Sequence, residues 1–236
     1  VGDDPFQKEH VVERSELIAK MAEHSFLDQP RLESLYDRAV EAIKLVGCFV
    51  ECGCGPGGSS AVLAGALGLA KSHRRLVVCD TFEGLPPPDV TVDRANGWDD
   101  ATIMSCTGSA AGSEGEIDRL CNLAWRGVSL ETRRGLYADT LKYWPYGPIA
   151  LLHADADWYY STKQILDGLW RHLAPGALVI FDDYHFWSGC RKAVDEFFAA
   201  NPPAPAWTTV SCSVWGRKPV QVEQLARQRD SVAQPA

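Results

Sequence analysis

The sequence predicts an α/β protein whose strands form one mostly parallel sheet. Three observations carry this. Short apolar runs alternate with segments of helical period along most of the chain. Two of those runs, Ile149-Ala150-Leu151-Leu152 and Ala177-Leu178-Val179-Ile180-Phe181, are separated by one helix-length segment, the pattern of a crossover unit. A glycine-rich turn, 53–58, joins a further apolar run to a helix. Strands that alternate with helices indicate a parallel sheet.

The 236 residues are 46% hydrophobic and 23% charged, which fits one large domain or two small ones. A net charge of −8 argues against nucleic acid or an anionic membrane as partner, since both need a basic face. No apolar run approaches the ~20 residues of a membrane span. The opening Val1-Gly2-Asp3-Asp4-Pro5 has neither the basic region nor the apolar core of a signal peptide, so a cytoplasmic protein is expected. The eight cysteines read as reduced thiols. Cys48, Cys52 and Cys79 fall in or beside apolar runs, and Cys48, Cys52 and Cys54 lack paired zinc spacing.

In chain order, residues 1–28 are polar with no strong period and read as a mobile arm or lid. From Gln29 to Leu45 an apolar stripe (Leu32, Leu35, Tyr36, Ala39, Ala42, Ile43) predicts a helix. Residues 47–51 are a first strand, 53–58 the turn, and 59–69 a helix. Residues 75–79 form a second strand ending at Asp80. Pro86-Pro87-Pro88 opens a long loop to residue 113 that can touch ligand. A helix over 114–124, a short strand at 128–130 and a short helix over 137–143 follow. The strand at 149–152 comes next, then a helix over 162–173 broken by Pro175-Gly176, and the strand at 177–181. A helix over 191–200 and an antiparallel pair, 207–212 with 214–217, end the domain, which spans 29–219. Residues 220–236 are a polar tail, helical at its start.

The chemistry gathers at the strand ends. Glycines let the turn approach a ligand, and the following helix presents free N–H groups. A carboxylate at Asp80 can accept both hydroxyls of a ribose, so the pair reads as a nucleoside site. NAD and S-adenosylmethionine both fit. Glu51 would repel a pyrophosphate and suit an ammonium or sulfonium, which favours the second. The apolar run at 149–152 is followed by Asp155-Ala156-Asp157, and that at 177–181 by Asp182-Asp183. If the two strands lie side by side, these carboxylates meet at the ligand-binding edge of the sheet. Converging carboxylates are costly without a cation, and an all-oxygen site suits a hard one such as Mg²⁺. Plainer readings exist: Asp155 or Asp157 as a helix cap, Asp182 and Asp183 as turn acids, and His153 as a core residue. Tyr184, His185 and Trp187 follow the acid pair and are candidate acceptor contacts.

These residues resemble the macrocin O-methyltransferase (TylF-like) family. The likeness runs from about residue 28 to 217. It is carried by Val50-Glu51-Cys52-Gly53, Gly57-Gly58-Ser59, Asp80-Thr81-Phe82-Glu83-Gly84-Leu85-Pro86, Asp155-Ala156-Asp157-Trp158-Tyr159 and Asp182-Asp183-Tyr184. The loop Cys54-Gly55-Pro56 departs from the family, in which bulky or basic residues often stand there. The resemblance implies a Rossmann-like class I methyltransferase fold: a seven-stranded, mostly parallel sheet closed by an antiparallel hairpin. It implies an enzyme that methylates a sugar hydroxyl of a natural product with S-adenosylmethionine and Mg²⁺. Glu51, Gly53, Gly57, Ser59, Asp80 and Phe82 would line the cofactor site. Asp155, Asp182 and Asp183 would hold the metal, and Asp157 would be the general base. The expected partners are a small hydroxylated, glycosylated acceptor and further copies of the chain in a dimer or larger homo-oligomer. Competing readings are a catechol-type O-methyltransferase, an iron-dependent hydroxylase and a cofactor-binding protein without turnover. Iron sites usually include His, and none of the proposed metal positions is one.

Overall fold

A computed structural model describes residues 13–220. Its elements are α1 (Arg14–Met21), α2 (Gln29–Ala42), β1 (Cys48–Cys52), α3 (Gly58–Leu69), β2 (Arg75–Asp80), α4 (Asp100–Met104), α5 (Glu114–Ala124) and β3 (Ser129–Arg134). They continue with α6 (Tyr137–Thr140), β4 (Ile149–Ala154), α7 (Tyr159–Leu169), β5 (Leu173–Phe181), α8 (Ser188–Ala200), β6 (Thr208–Val210) and β7 (Ser213–Arg217). The strands form one seven-stranded sheet in the order β3-β2-β1-β4-β5-β7-β6. The first five are parallel to their neighbours, and β7 runs antiparallel to both β5 and β6.

Both faces of the central strands are covered, so β1 and β4 are buried at every position. Phe49, Leu76, Val78, Ala150 and Leu178 face α1, α2, α3 and α5. Val50, Val77, Leu152 and Val179 face the layer that holds α7 and α8. The chain winds outward from β1 to β3, then returns to set β4 on the other side of β1. That reversal leaves a crevice at the C-terminal ends of β1 and β4, where open α/β sheets bind ligands.

The structure corrects the expectation of an arm over residues 1–28. Residues 1–12 lie outside the described residues, but α1 is part of the core: Leu17, Ile18 and Met21 are buried against α2 and α3. Gly58 permits the approach, since a Cβ there would sit 2.5 Å from the Met21 carbonyl oxygen. Eight residues with three buried positions give too weak a period to be seen in the sequence. Three smaller differences share one cause, tertiary pairing of polar or broken segments. β3 extends to Arg134 as a half-exposed edge strand. The 86–113 loop contains α4, whose Ile103 is fully buried and whose start is capped by Asp99. Helix α7 closes with a 3₁₀ turn at Trp170–His172, and Pro175-Gly176 lie within β5. The β4–β5 register shifts there, which spares Pro175 the need for a ladder N–H. The expected tail lies beyond the described residues from 221 onward.

Candidate active site

A cavity of about 480 Å³ opens at the switch point. The ends of the five parallel strands border it. β1 supplies Gly53, whose φ of +86° turns the chain out of the sheet. A Cβ at Gly53 would lie 1.6 Å from the carbonyl oxygen of Asp155, so only glycine lets β1 and β4 end this close together. The Asp155 N–H donates to the Cys52 carbonyl at 2.8 Å, and the Asp182 N–H to that of Ala154 at 3.0 Å. The sheet ladder thus continues into the acids.

Asp80 ends β2 and lines the cavity. Its carboxylate accepts from the main-chain N–H groups of Cys54 and Phe82, both at 2.8 Å. The Cys54 thiol at 3.3 Å and the Thr81 hydroxyl at 3.5 Å are longer, weaker donors to the same carboxylate, and a vicinal diol could take their place. Phe82 does this through a left-handed backbone (φ +59°), while its ring lies buried under Arg134. Phe82, Gly57 and Ser59 are not among the lining residues. Glu51 is not either. It is fully buried on the α3 face of the sheet, where Ser60 donates to one oxygen and His153 Nδ1 lies 2.9 Å from the other. His153 is therefore a core residue, and its Nε2 has no partner among the described residues.

The acids on the cavity floor fall into two groups. Asp155, Asp157 and Asp183 each bring a carboxylate oxygen within 4.8 Å of the others. Asp157 adopts a left-handed conformation (φ +55°); its N–H donates to Asp183 Oδ2 at 3.0 Å, and its Oδ1 accepts from Trp187 Nε1 at 2.6 Å. Asp182 stands apart. One of its oxygens is paired with Arg31 and the other accepts from the Ser213 hydroxyl at 2.5 Å. The expected metal set of Asp155, Asp182 and Asp183 is thus not the set of free carboxylates here, because Asp182 is engaged and Asp157 takes its place in the cluster. Burial, then the charges of Asp182 and Asp183, push Asp155 well above the usual carboxylate range. Burial, then Asp157 and Asp182, do the same to Asp183. Burial drives Asp157 up to about 7 against the lowering hydrogen bond from Trp187, with Asp182 and Asp93 adding to the rise. Three carboxyls raised together mark a site short of positive charge. All-oxygen donors of this kind fit a hard divalent cation.

Of the expected acceptor contacts, Trp187 lines the cavity, and Phe186 beside it does too. Tyr184 and His185 do not: Tyr184 bonds Asp195 at 2.7 Å under Arg191, and exposed His185 meets Thr209 at 3.2 Å. Two functional neighbours escaped the sequence reading. Arg31 lies in the first turn of α2, where a cation opposes the helix dipole. That local mismatch was the available signal. Asp93 is buried in the 86–113 loop and accepts from Tyr159 N–H at 2.8 Å and Asp89 N–H at 2.9 Å, which pins the start of α7 behind Asp157. Nothing local distinguishes it from other loop acids.

A sheet of this order, with an acid facing a glycine turn and further acids on the next two strand ends, defines a class I methyltransferase. The chain belongs to the macrocin-O-methyltransferase (TylF) family, whose profile matches residues 18–217, and it is an S-adenosylmethionine-dependent O-methyltransferase. It is 31% identical over 180 residues to demethyldecarbamoylnovobiocin O-methyltransferase of Streptomyces niveus, across 75% of this chain and 68% of that one. It is 31% identical over 183 residues to 8-demethyl-8-(2,3-dimethoxy-alpha-L-rhamnosyl)-tetracenomycin-C 4'-O-methyltransferase of Streptomyces olivaceus, across 74% and 67% of the two chains. The solved structure of the O-methyltransferase NovP superposes with a TM-score of 0.72 at 29% identity, covering 84% of this chain and 83% of that one. Among the described residues no helix is long and apolar enough to cross a membrane.

Proposed function

We propose that the protein transfers the methyl group of S-adenosylmethionine to a sugar hydroxyl of a natural product in antibiotic biosynthesis, with Mg²⁺ at the acid cluster. The observation that carries this reading is the convergence of Asp155, Asp157 and Asp183 within 4.8 Å on the floor of the cavity that Asp80 also lines. The relative from Streptomyces olivaceus, named for 4'-O-methylation of a rhamnosyl-bearing molecule, supports the acceptor class.

Asp80 binds the ribose of the cofactor, and Gly53, by letting β1 end against the Asp155 backbone, holds the cofactor turn beside the acid cluster. Asp155 and Asp183 would hold the cation, which when bound would supply acidification and orientation of the acceptor hydroxyl. Asp157 takes the acceptor proton. Trp187 fixes one of its oxygens and leaves the second free to act, and a cation beside it would keep it ionised at neutral pH, as suits a general base. The oxygen must stand in line with the methyl carbon and the sulfur, so orientation supplies much of the rate. Trp187 and Phe186 form an apolar wall beside that path.

Asp157→Asn should keep affinity for S-adenosylhomocysteine but lose turnover by ~10²–10⁴-fold. EDTA should abolish activity, and Mg²⁺ but not Fe²⁺ should restore it. Activity that survives EDTA rejects the cation. The apolar wall would also accept a flat ring, so a panel of glycosides against catechols decides the acceptor class. An iron-dependent hydroxylase is disfavoured, because no His stands among the described residues that line the cavity.

A further inference from the structure

We propose that Arg31 is a positioning residue that ties the 26–28 segment over the cavity to the acid cluster, and that it sets the cluster's affinity for a cation by holding Asp182. The inference rests on the reading that a divalent cation binds the cluster. The guanidinium is three-quarters of the way out of solvent or more, with 14% side-chain exposure, and all three of its nitrogens are used. Nη1 pairs with Asp182, which is 3% exposed. Nε bonds Asp28 Oδ1 at 3.2 Å, and Nη2 donates to the Phe26 carbonyl at 2.9 Å. Phe26 and Leu27 line the cavity, with the Phe26 ring lying over Gly55 of the glycine turn. One side chain thus joins the segment before α2 to the end of β5, across a distance of 151 residues in sequence.

This arrangement has two separable consequences. The first is charge. Arg31 is the only cationic residue among the described residues that line the cavity, and it neutralises Asp182, which the family resemblance assigns to the metal. A cation that approaches the cluster must meet a carboxylate already paired, so Arg31 weakens cation binding. The second is shape. A planar fork can hold two carboxylates and a carbonyl at once, whereas a lysine ammonium on a flexible stem cannot hold the same three in one geometry. Charge should govern cation affinity, and the fork should govern the order of residues 26–28.

The test measures Mn²⁺ binding by electron paramagnetic resonance and amide hydrogen exchange at residues 26–28, on the full chain. The variants are Arg31→Gln, Arg31→Lys and Asp28→Asn. Arg31→Gln should bind Mn²⁺ about tenfold or more tightly than the unaltered chain and exchange faster at 26–28. Arg31→Lys should keep Mn²⁺ affinity within about threefold yet share the faster exchange. Asp28→Asn retains a helix-capping side chain and the pair with Asp182, so its Mn²⁺ affinity should be unchanged. Unaltered affinity in Arg31→Gln overturns the charge role, and unaltered exchange in both Arg31 variants overturns the clamp. If the unaltered chain binds no Mn²⁺, the cation reading itself fails and takes the charge role with it. The exchange result still decides the clamp.

Discussion

Asp80 shows how much a single residue's position can carry. Its carboxylate is fixed by two main-chain N–H groups before any ligand arrives, so ribose recognition does not have to order it. Asp80→Ala should weaken S-adenosylhomocysteine binding more than tenfold, ~1.4 kcal/mol or above, by calorimetry. Unchanged affinity would reject the ribose assignment. The positions of this acid and of the pair 155 and 183 were legible in the sequence because each lies within three residues of the end of an apolar run, and the end of a buried strand has one place to be. Glu51 was not legible for the same reason inverted. Every residue of β1 is buried, on both faces, so the alternation that would tell cavity from core is absent. Its partners Ser60 and His153 come from α3 and β4 and carry no local signal. Asp182 and Asp157 exchanged surroundings relative to expectation because two contacts from distant sequence, Arg31 and Trp187, decide which carboxylate is free.

At the scale of elements, α1 is where the sequence and the structure part most clearly. Its mean polarity suggests an arm, yet Leu17 packs directly against α3 at Gly65 and is 1% exposed. Leu17→Ala should cost about 2–5 kcal/mol of stability, measured by urea unfolding, as for other buried leucines. A cost below ~0.5 kcal/mol would return α1 to the status of a loose arm. The crossover unit β4–α7–β5, by contrast, was readable in full: two apolar runs, a helical period and terminal acids all point to one arrangement, and the two strands pair as expected. The placement of β4 beside β1 has no local signal. It follows from the reversal of strand order, which is a property of the whole sheet.

For the molecule as a whole, the acid cluster links stability to pH and to cations. Asp155, Asp157 and Asp183 have folded-state pKa values raised above the ordinary ~3.9 of aspartate, that of Asp157 to about 7. Between those limits the folded chain binds more protons than the unfolded one. Without a cation, the cluster's contribution to stability is therefore fully present below the unfolded value and falls as pH rises through the folded values. A divalent cation binds the ionised carboxylates, so protons and cation compete, and its stabilising effect grows in the direction in which the protons leave. The Mg²⁺ concentration that saturates the site at pH 8 should barely move the melting temperature at pH 5, where protons occupy the carboxyls. At pH 8, with the ion at a hundred times its dissociation constant, binding adds ~2.7 kcal/mol, which for a chain of this size raises Tm by about 5–10 °C. Other carboxylates set the overall acid stability of the protein, and for that reason the quantity to measure is the difference with and without Mg²⁺ at each pH. Calorimetric scans at pH 5, 6, 7 and 8 give it directly. An increment equal at every pH would mean that the ion binds somewhere other than these raised carboxyls. An absent increment at pH 8 would mean that the cluster takes no Mg²⁺ and that methyl transfer proceeds from Asp157 and orientation alone.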